Sequence, residues 1–351
     1  MPATPQPRSS GRPGTRPAGR PAARLGDQPG DQPGDRRAER SGDQFGEHSG
    51  VRLGERDVLR ALAAEPLVGL GAGRALLMQL AHPDVARGVA EHSDFTERPL
   101  ARLFGTLDFL LIVTFGTPEQ VGRIAAKVRG IHGTVRGDGY SGDDPELQLW
   151  VNATLIDSAL HVYEHIMRPD GDGGSGDGEP GLAEECYRQA RVIAEVLGCP
   201  LEAQPPDLAA FRAYMADTLA ALEVTDTARE VAAAVLWPER EAARLRVLYP
   251  GLAVFRLLTA ALLPETLRDQ YGLPWTGNRR RTATLMLRTA GAVHRATPGF
   301  LRRPPQAFLV RLAAYRVDRT LSARRARRRT DQGGGQSGGR SDGRAAGPAE
   351  P

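Results

Sequence analysis

The sequence predicts an all-α fold, many helices packed as a single domain around a buried pocket and flanked by disordered tails. Three observations carry that expectation. Apolar residues recur at 3.6-residue spacing in one segment after another. Cap residues and X-Pro or Gly breaks punctuate those segments where helices would start and stop. No stretch alternates convincingly as a strand, and no repeat has the length of a solenoid unit.

The tails and the composition bound the rest. Of 351 residues, 1–50 are rich in Pro, Gly, Arg and Asp and carry the short repeat GDQPGDQPGD, while 330–351 are Gly-rich. Such segments bury too little apolar area to offset the entropy of ordering, so both read as disordered and the folded domain as 51–329. At 40% hydrophobic content that domain can enclose one large core. No apolar run follows Met1, and Arg36-Arg37 lacks the hydrophobic run of a twin-arginine signal, so the expected location is the cytoplasm. Cys186 and Cys199 are too few for a disulfide framework or a thiolate metal site. The net charge of +4 is modest.

Taken in order, the apolar rhythm begins at Arg56. A helix through Arg74–Ala81 stops at His82-Pro83, because a residue before proline is pushed out of the helical region. A second short helix follows from Asp84 to His92. The stretch Pro99–Gly137 reads as two helices around a tight break. The first is expected to bury Leu100, Leu103, Phe104, Leu107, Leu110 and Leu111. Arg102 and Thr106, four apart, share one of its flanks. The second starts with Thr117 as N-cap, Pro118 in its first turn and Gln120 completing a capping box. Val121, Ile124, Ala125, Val128 and Val135 form its apolar stripe, and His132 lies on that stripe, where an imidazole needs partners. A metal can be one of them.

After a polar turn comes a long helix from Asp144 to Met167, with Trp150, Val151, Thr154, Leu155, Ser158 and Val162 facing inward. The acidic, glycine-rich stretch 170–180 lacks the ligand spacing of an EF-hand. Helices then read over 182–197, 208–222, from a Thr225 cap to Trp237, and over 240–248, 252–263, 279–295 and 305–329.

The segments AHPDVARGVAEHSDF, RPLARLFGT and IHGTVRG, followed by Trp150 and Val151, carry a resemblance in their order. Over roughly residues 65–260 the chain resembles the MpaB-type oxygenase and rubber oxygenase (latex-clearing protein) family. The resemblance implies an all-helical domain holding one haem b. It also implies an arginine and a threonine four apart, then the histidine that ligates iron. Position by position these are Arg102, Thr106 and His132, the first two at the reaction site and all three around the cofactor. Rubber oxygenases carry a lysine before the threonine that reaches the iron from the other side; Gly105 stands there in this chain. His82 and His92 lie within the family-like segment as helix-end residues or as flanks of the haem pocket.

The activity so implied is oxidation by O₂ of a small apolar substrate, an alkene or terpenoid. A helical haem carrier or sensor would use the same histidine. A rival of another class is His161-Val-Tyr-Glu164-His165, which matches the H-x-x-E-H pattern of zinc hydrolases. On a helix its two histidines share a face, with Glu164 as base and a third ligand to come from Glu184, Glu185 or Glu195. The apolar runs 107–115 and 252–263 fall short of the ~20 residues of a membrane span. The arginine-rich end of the last helix, SARRARRR, suits weak contact with an anionic membrane surface. It has no interleaved aromatics on which bases could stack, so no nucleic acid is expected.

Overall fold

The computed structural model describes residues 57–92, 99–168, 181–237, 249–303 and 305–319, without the side chains of 99–104 and 249. Its helices begin and end where local chemistry dictates. After α1 (Asp57–Ala63) and a 3-10 turn (Pro66–Gly71), α2 (Ala72–Ala81) stops at His82, which is extended ahead of Pro83. There α3 (Pro83–His92) begins. The predicted helix pair is α4 (Pro99–Phe115) and α5 (Pro118–His132). The capping box of α5 is complete: Gln120 N–H donates to Thr117 Oγ1 at 3.3 Å, and Thr117 N–H donates to Gln120 Oε1 at 2.9 Å.

Next come two short strands, β1 (Arg136–Gly137) and β2 (Tyr140–Ser141), paired antiparallel. Two residues are too few to show alternation, which is why no strand was legible there. The predicted long helix divides into α6 (Pro145–Val162) and a π-helical turn, Tyr163–Met167. Asp144 caps α6 by accepting from Glu146 N–H at 2.8 Å. Then follow α7 (Leu182–Leu197), α8 (Leu208–Ala221) and α9 (Asp226–Leu236). Gly198 ends α7 at φ 114°, a left-handed conformation that costs other residues a steric clash. The chain closes with α10 (Tyr249–Leu262), α11 (Glu265–Gln270), α12 (Gly277–Ala296), α13 (Gly299–Arg302) and α14 over 306–319. The predicted tails 1–50 and 330–351, the loop 170–180 and the helix 240–248 lie outside the described residues.

The core is organised around α6, which packs against α2, the first 3-10 turn and α7. Trp150, Ala153, Ile156, Leu160 and Val162 are buried on it, and so are the polar Gln148, Asn152, Thr154 and Ser158. Val151 and Leu155, expected to face inward, are only half-buried. The 3-10 turn comes so close that a Cβ on Gly71 would stand 2.9 Å from the Ser158 carbonyl oxygen. Only a glycine lets the two backbones meet without a shift.

One predicted face is corrected. Leu107, assigned to the buried side of α4, is 42% exposed, and the buried side chains are Asp108, Phe109, Ile112 and Val113. Leu110 and Leu111 pack at the margin, and Leu100, Leu103 and Phe104 lie outside the described side chains. The reason is an ion pair the sequence conceals: Asp108 accepts from Arg316 of α14, with Nε 2.9 Å from Oδ2. Neighbours on a helix point about 100° apart, so turning Asp108 inward turns Leu107 out.

Among the described residues no single helix is long and apolar enough to cross a membrane. Only α1 with Pro66–Ala81 reaches the required composition together, as a pair bent by 73°, and Leu62, Leu77 and Met78 of that pair lie in the core.

Candidate functional site

The α4–α5 pair, joined by a short turn at Gly116–Thr117, carries the predicted Arg102 and Thr106 on its first helix and His132 on its second. Counted from its turn at 1.5 Å per residue, Arg102 and His132 each lie about 22 Å away, and Thr106 about 15 Å away. The side chain of Arg102 is outside the described set; its backbone belongs to α4. His132 is the last residue of α5 and is half-buried. Gly133 follows it, closing the helix through its N–H to the Arg129 carbonyl at 2.8 Å. An imidazole at a helix C-terminus sits in the negative end of the dipole, which favours a cation bound to it.

Thr106 is exposed beside Gly105, and among the described residues a Cβ added at Gly105 or at Gly130 would meet nothing within 4 Å. Leu107 and Ile131 are 42% and 36% exposed, and Ile131 directly precedes the half-buried His132. Among the described residues no three His, Cys, Asp or Glu side chains gather as a cage for a bare metal ion. A haem would need no such cage, because its macrocycle brings most of the iron's ligands and the protein would add a donor such as His132. A single imidazole donor such as His132 is compatible with that requirement.

The other histidines have structural duties. His82 caps the break between α2 and α3, its Nδ1 accepting from Asp84 N–H at 3.3 Å, and burial pushes its pKa down. His92 Nε2 lies 2.9 Å from the Arg136 carbonyl, pinning α3 to the hairpin. His161 and His165 stack at 4.3 Å between ring centroids, and His165 Nδ1 donates to the His161 carbonyl at 3.0 Å. Glu164, the would-be base of the zinc pattern, is held instead by Arg212 Nη2 at 2.5 Å. Two of its three possible acidic partners are engaged as well. Glu184 accepts from Leu208 N–H at 3.2 Å, and Glu185 pairs with Arg188 at 2.5 Å.

Sequence reasoning missed a buried polar cluster beneath these histidines. Arg74, alone as a charge in the apolar α2, donates to Asp157, to Ser158 Oγ at 3.0 Å and to the Leu262 carbonyl at 3.0 Å. Burial first, then the Arg74 charge and His165, push His161 down to about 4, so it is neutral at physiological pH. The available signal was a lone arginine within RALLMQLA. A charge in such a run needs a partner.

The fold is all-helical, with a half-buried imidazole, His132, at the end of α5. Residues 59–296 match the family described as ER-bound oxygenase mpaB/B'/Rubber oxygenase, catalytic domain, and the chain belongs to that family. Oxygenase chemistry is the activity the family assigns. Two curated relatives are uncharacterised proteins of Mycobacterium bovis and Mycobacterium tuberculosis. Each is 28% identical over 268 residues, covering 72% of this chain and 96% of the relative. No solved structure matches the chain.

Proposed function

We propose that the chain is a haem b-dependent oxygenase that uses O₂ to oxidise a small apolar substrate, an alkene or terpenoid. The observation that carries this reading is the half-buried His132 at the end of α5, directly after the exposed Ile131, within a chain that belongs to an oxygenase family. His132 would hold the iron through a neutral imidazole nitrogen. Arg102 would pair with a propionate carboxylate, and Thr106 would donate a hydrogen bond at the same end of the hairpin. When bound, haem would supply the activation of O₂ that no side chain can perform. Leu107 and Ile131 would exclude water from that face and receive the apolar substrate. Gly105 leaves that face without the lysine that closes the resting site in rubber oxygenases.

The test is reconstitution. Protein made with an ample haem supply should show a Soret band and consume O₂ when an apolar alkene is added. A protein that stays colourless would end the haem reading, and a coloured one with no O₂ uptake on any apolar alkene would make it a carrier.

The role of Arg102 makes its own prediction. Charged hydrogen bonds are worth about 1.5–3 kcal/mol, so Arg102→Ala should weaken haem binding roughly ten- to a hundredfold. Arg102→Lys should fall between, because it keeps the charge and loses the two-pronged fork. Thr106→Val should cost less, through loss of one neutral bond. A brace between Arg102 and Asp108 is disfavoured, because Arg316 already holds that carboxylate. Equal melting losses in apo and loaded protein, with haem affinity intact, would remove Arg102 from the cofactor.

The catalytic unit is taken as 51–329. Deleting 1–50 and 330–351 should leave haem content and melting temperature nearly unchanged, as neither tail has a burial pattern. A large drop on truncation would make a tail part of the fold.

A further inference from the structure

We propose that the outer face of α13 and α14 docks onto an anionic lipid bilayer surface. The C-terminal limb is apolar on two sides. On α14, Val310, Ala313 and Val317 pack inward, while Phe308, Leu312 and Tyr315, at helical spacing, form a second stripe facing out. Phe308 and Tyr315 are each 62% exposed, and Phe300 on the adjoining α13 is 82% exposed. Isolated apolar residues are ordinary on a surface; a helix with an apolar stripe on each side is not.

Charge decides the partner. From Gly277 to Arg319 the chain carries ten arginines and one acidic residue, Asp318. Arg302 and Arg303 are spent on Glu65, and Arg316 on Asp108. Arg311 and Arg319 stay exposed around the outer stripe, with no ion pair among the described residues. In sequence the stripe runs on into SARRARRR. An interface that accepts both apolar side chains and guanidinium groups is the headgroup region of an anionic bilayer, where rings sink and arginines meet phosphates. A nucleic acid would satisfy the arginines and leave the leucine and phenylalanine stripe wet. A second copy would set like charges against each other across a self-complementary face.

The Arg316–Asp108 pair ties this limb to α4 two residues from Thr106. A docked molecule would therefore hold α4 around Thr106 near the phase in which an apolar substrate dissolves. That last consequence alone rests on the proposed function; the docking does not.

The experiment is vesicle flotation of the full chain, apo and haem-loaded, on phosphatidylcholine alone and on phosphatidylcholine with phosphatidylglycerol. Binding to the anionic vesicles should exceed that to neutral ones at least about tenfold and weaken with salt, as charge contacts do. Phe308→Ser with Tyr315→Ser should weaken it by about tenfold or more, since both rings leave the interface. Arg311→Glu with Arg319→Glu should cost at least about thirtyfold, at about fivefold per arginine. Both variants should melt like the wild type, because the altered side chains are exposed. Equal binding to both vesicle types, or binding untouched by either variant, would overturn the proposal. So would a duplex DNA complex formed in place of vesicle binding, a dimer lost with Phe308→Ser, or new flotation on deleting 1–50. Because the apo protein is measured too, failure of the haem reading would leave this result standing.

Discussion

His132→Ala should abolish the Soret band of haem-supplied protein while leaving the fold in place. The imidazole would be the protein's own bond to the iron, and mutating even the groups that orient a metal ligand costs about ten- to a hundredfold in affinity. Loss of the ligand itself should exceed about a hundredfold. The structural cost should be modest, because His132 is only half-buried, at a helix end whose cap is made by Gly133 and Arg129 backbone groups. A change there belongs with surface substitutions, within about 0.5 kcal/mol. Two controls sharpen the result. His82→Ala removes an acceptor from Asp84 N–H, and His161→Ala empties a position over the Arg74 cluster, yet both should keep haem. Retention of colour by His132→Ala, with loss by His161→Ala, would move the iron site to α6.

What the sequence made legible was local. The stop at His82-Pro83, the Thr117–Gln120 box and the Gly198 end each depend on residues within a turn of one another, and all three are found. What it concealed was distant. Leu107 was assigned inward because its spacing fits an apolar stripe. Its actual direction follows from Asp108 and Arg316, 208 residues apart. The zinc pattern fails for the same reason. H-x-x-E-H is complete within five residues, but Glu164 belongs to Arg212 from α8, and the helix widens into a π turn at that point. The site sits between these cases. His132 and Thr106 were proposed through a resemblance, and Gly105 through a departure from it. That Gly105 and Gly130 leave open space beside them needed the packed chain.

Glu65→Gln should lower stability by about 3 kcal/mol at neutral pH, the cost of breaking a buried pair and leaving its partners uncompensated. For a domain of this size that corresponds to a melting temperature lower by roughly 6–12 °C. Glu65 is 4% exposed and accepts from Arg302 Nε at 2.7 Å, Arg303 Nε at 2.7 Å and His294 Nε2 at 3.0 Å. It thereby closes the C-terminal limb onto the 3-10 turn that packs on α6. Burial pushes its carboxyl up, and the bonds from Arg302, Arg303 and His294 outweigh burial, holding it down at about 2 against an ordinary 4.5. The sign follows from linkage. A carboxyl depressed on folding stabilises the protein fully above its unfolded value, and that stability is lost as pH falls through the folded one. The difference is worth about 3 kcal/mol at 1.36 kcal/mol per pKa unit, in line with the cost of breaking the pair. Melting curves of wild type and Glu65→Gln should therefore stand far apart at pH 7 and converge as pH falls from 4.5 toward 2. A gap that stays constant across that window would assign the loss to packing and not to the carboxylate charge. Convergence would identify Glu65 as the acid-sensitive clasp that holds Phe300 and the limb behind it in place.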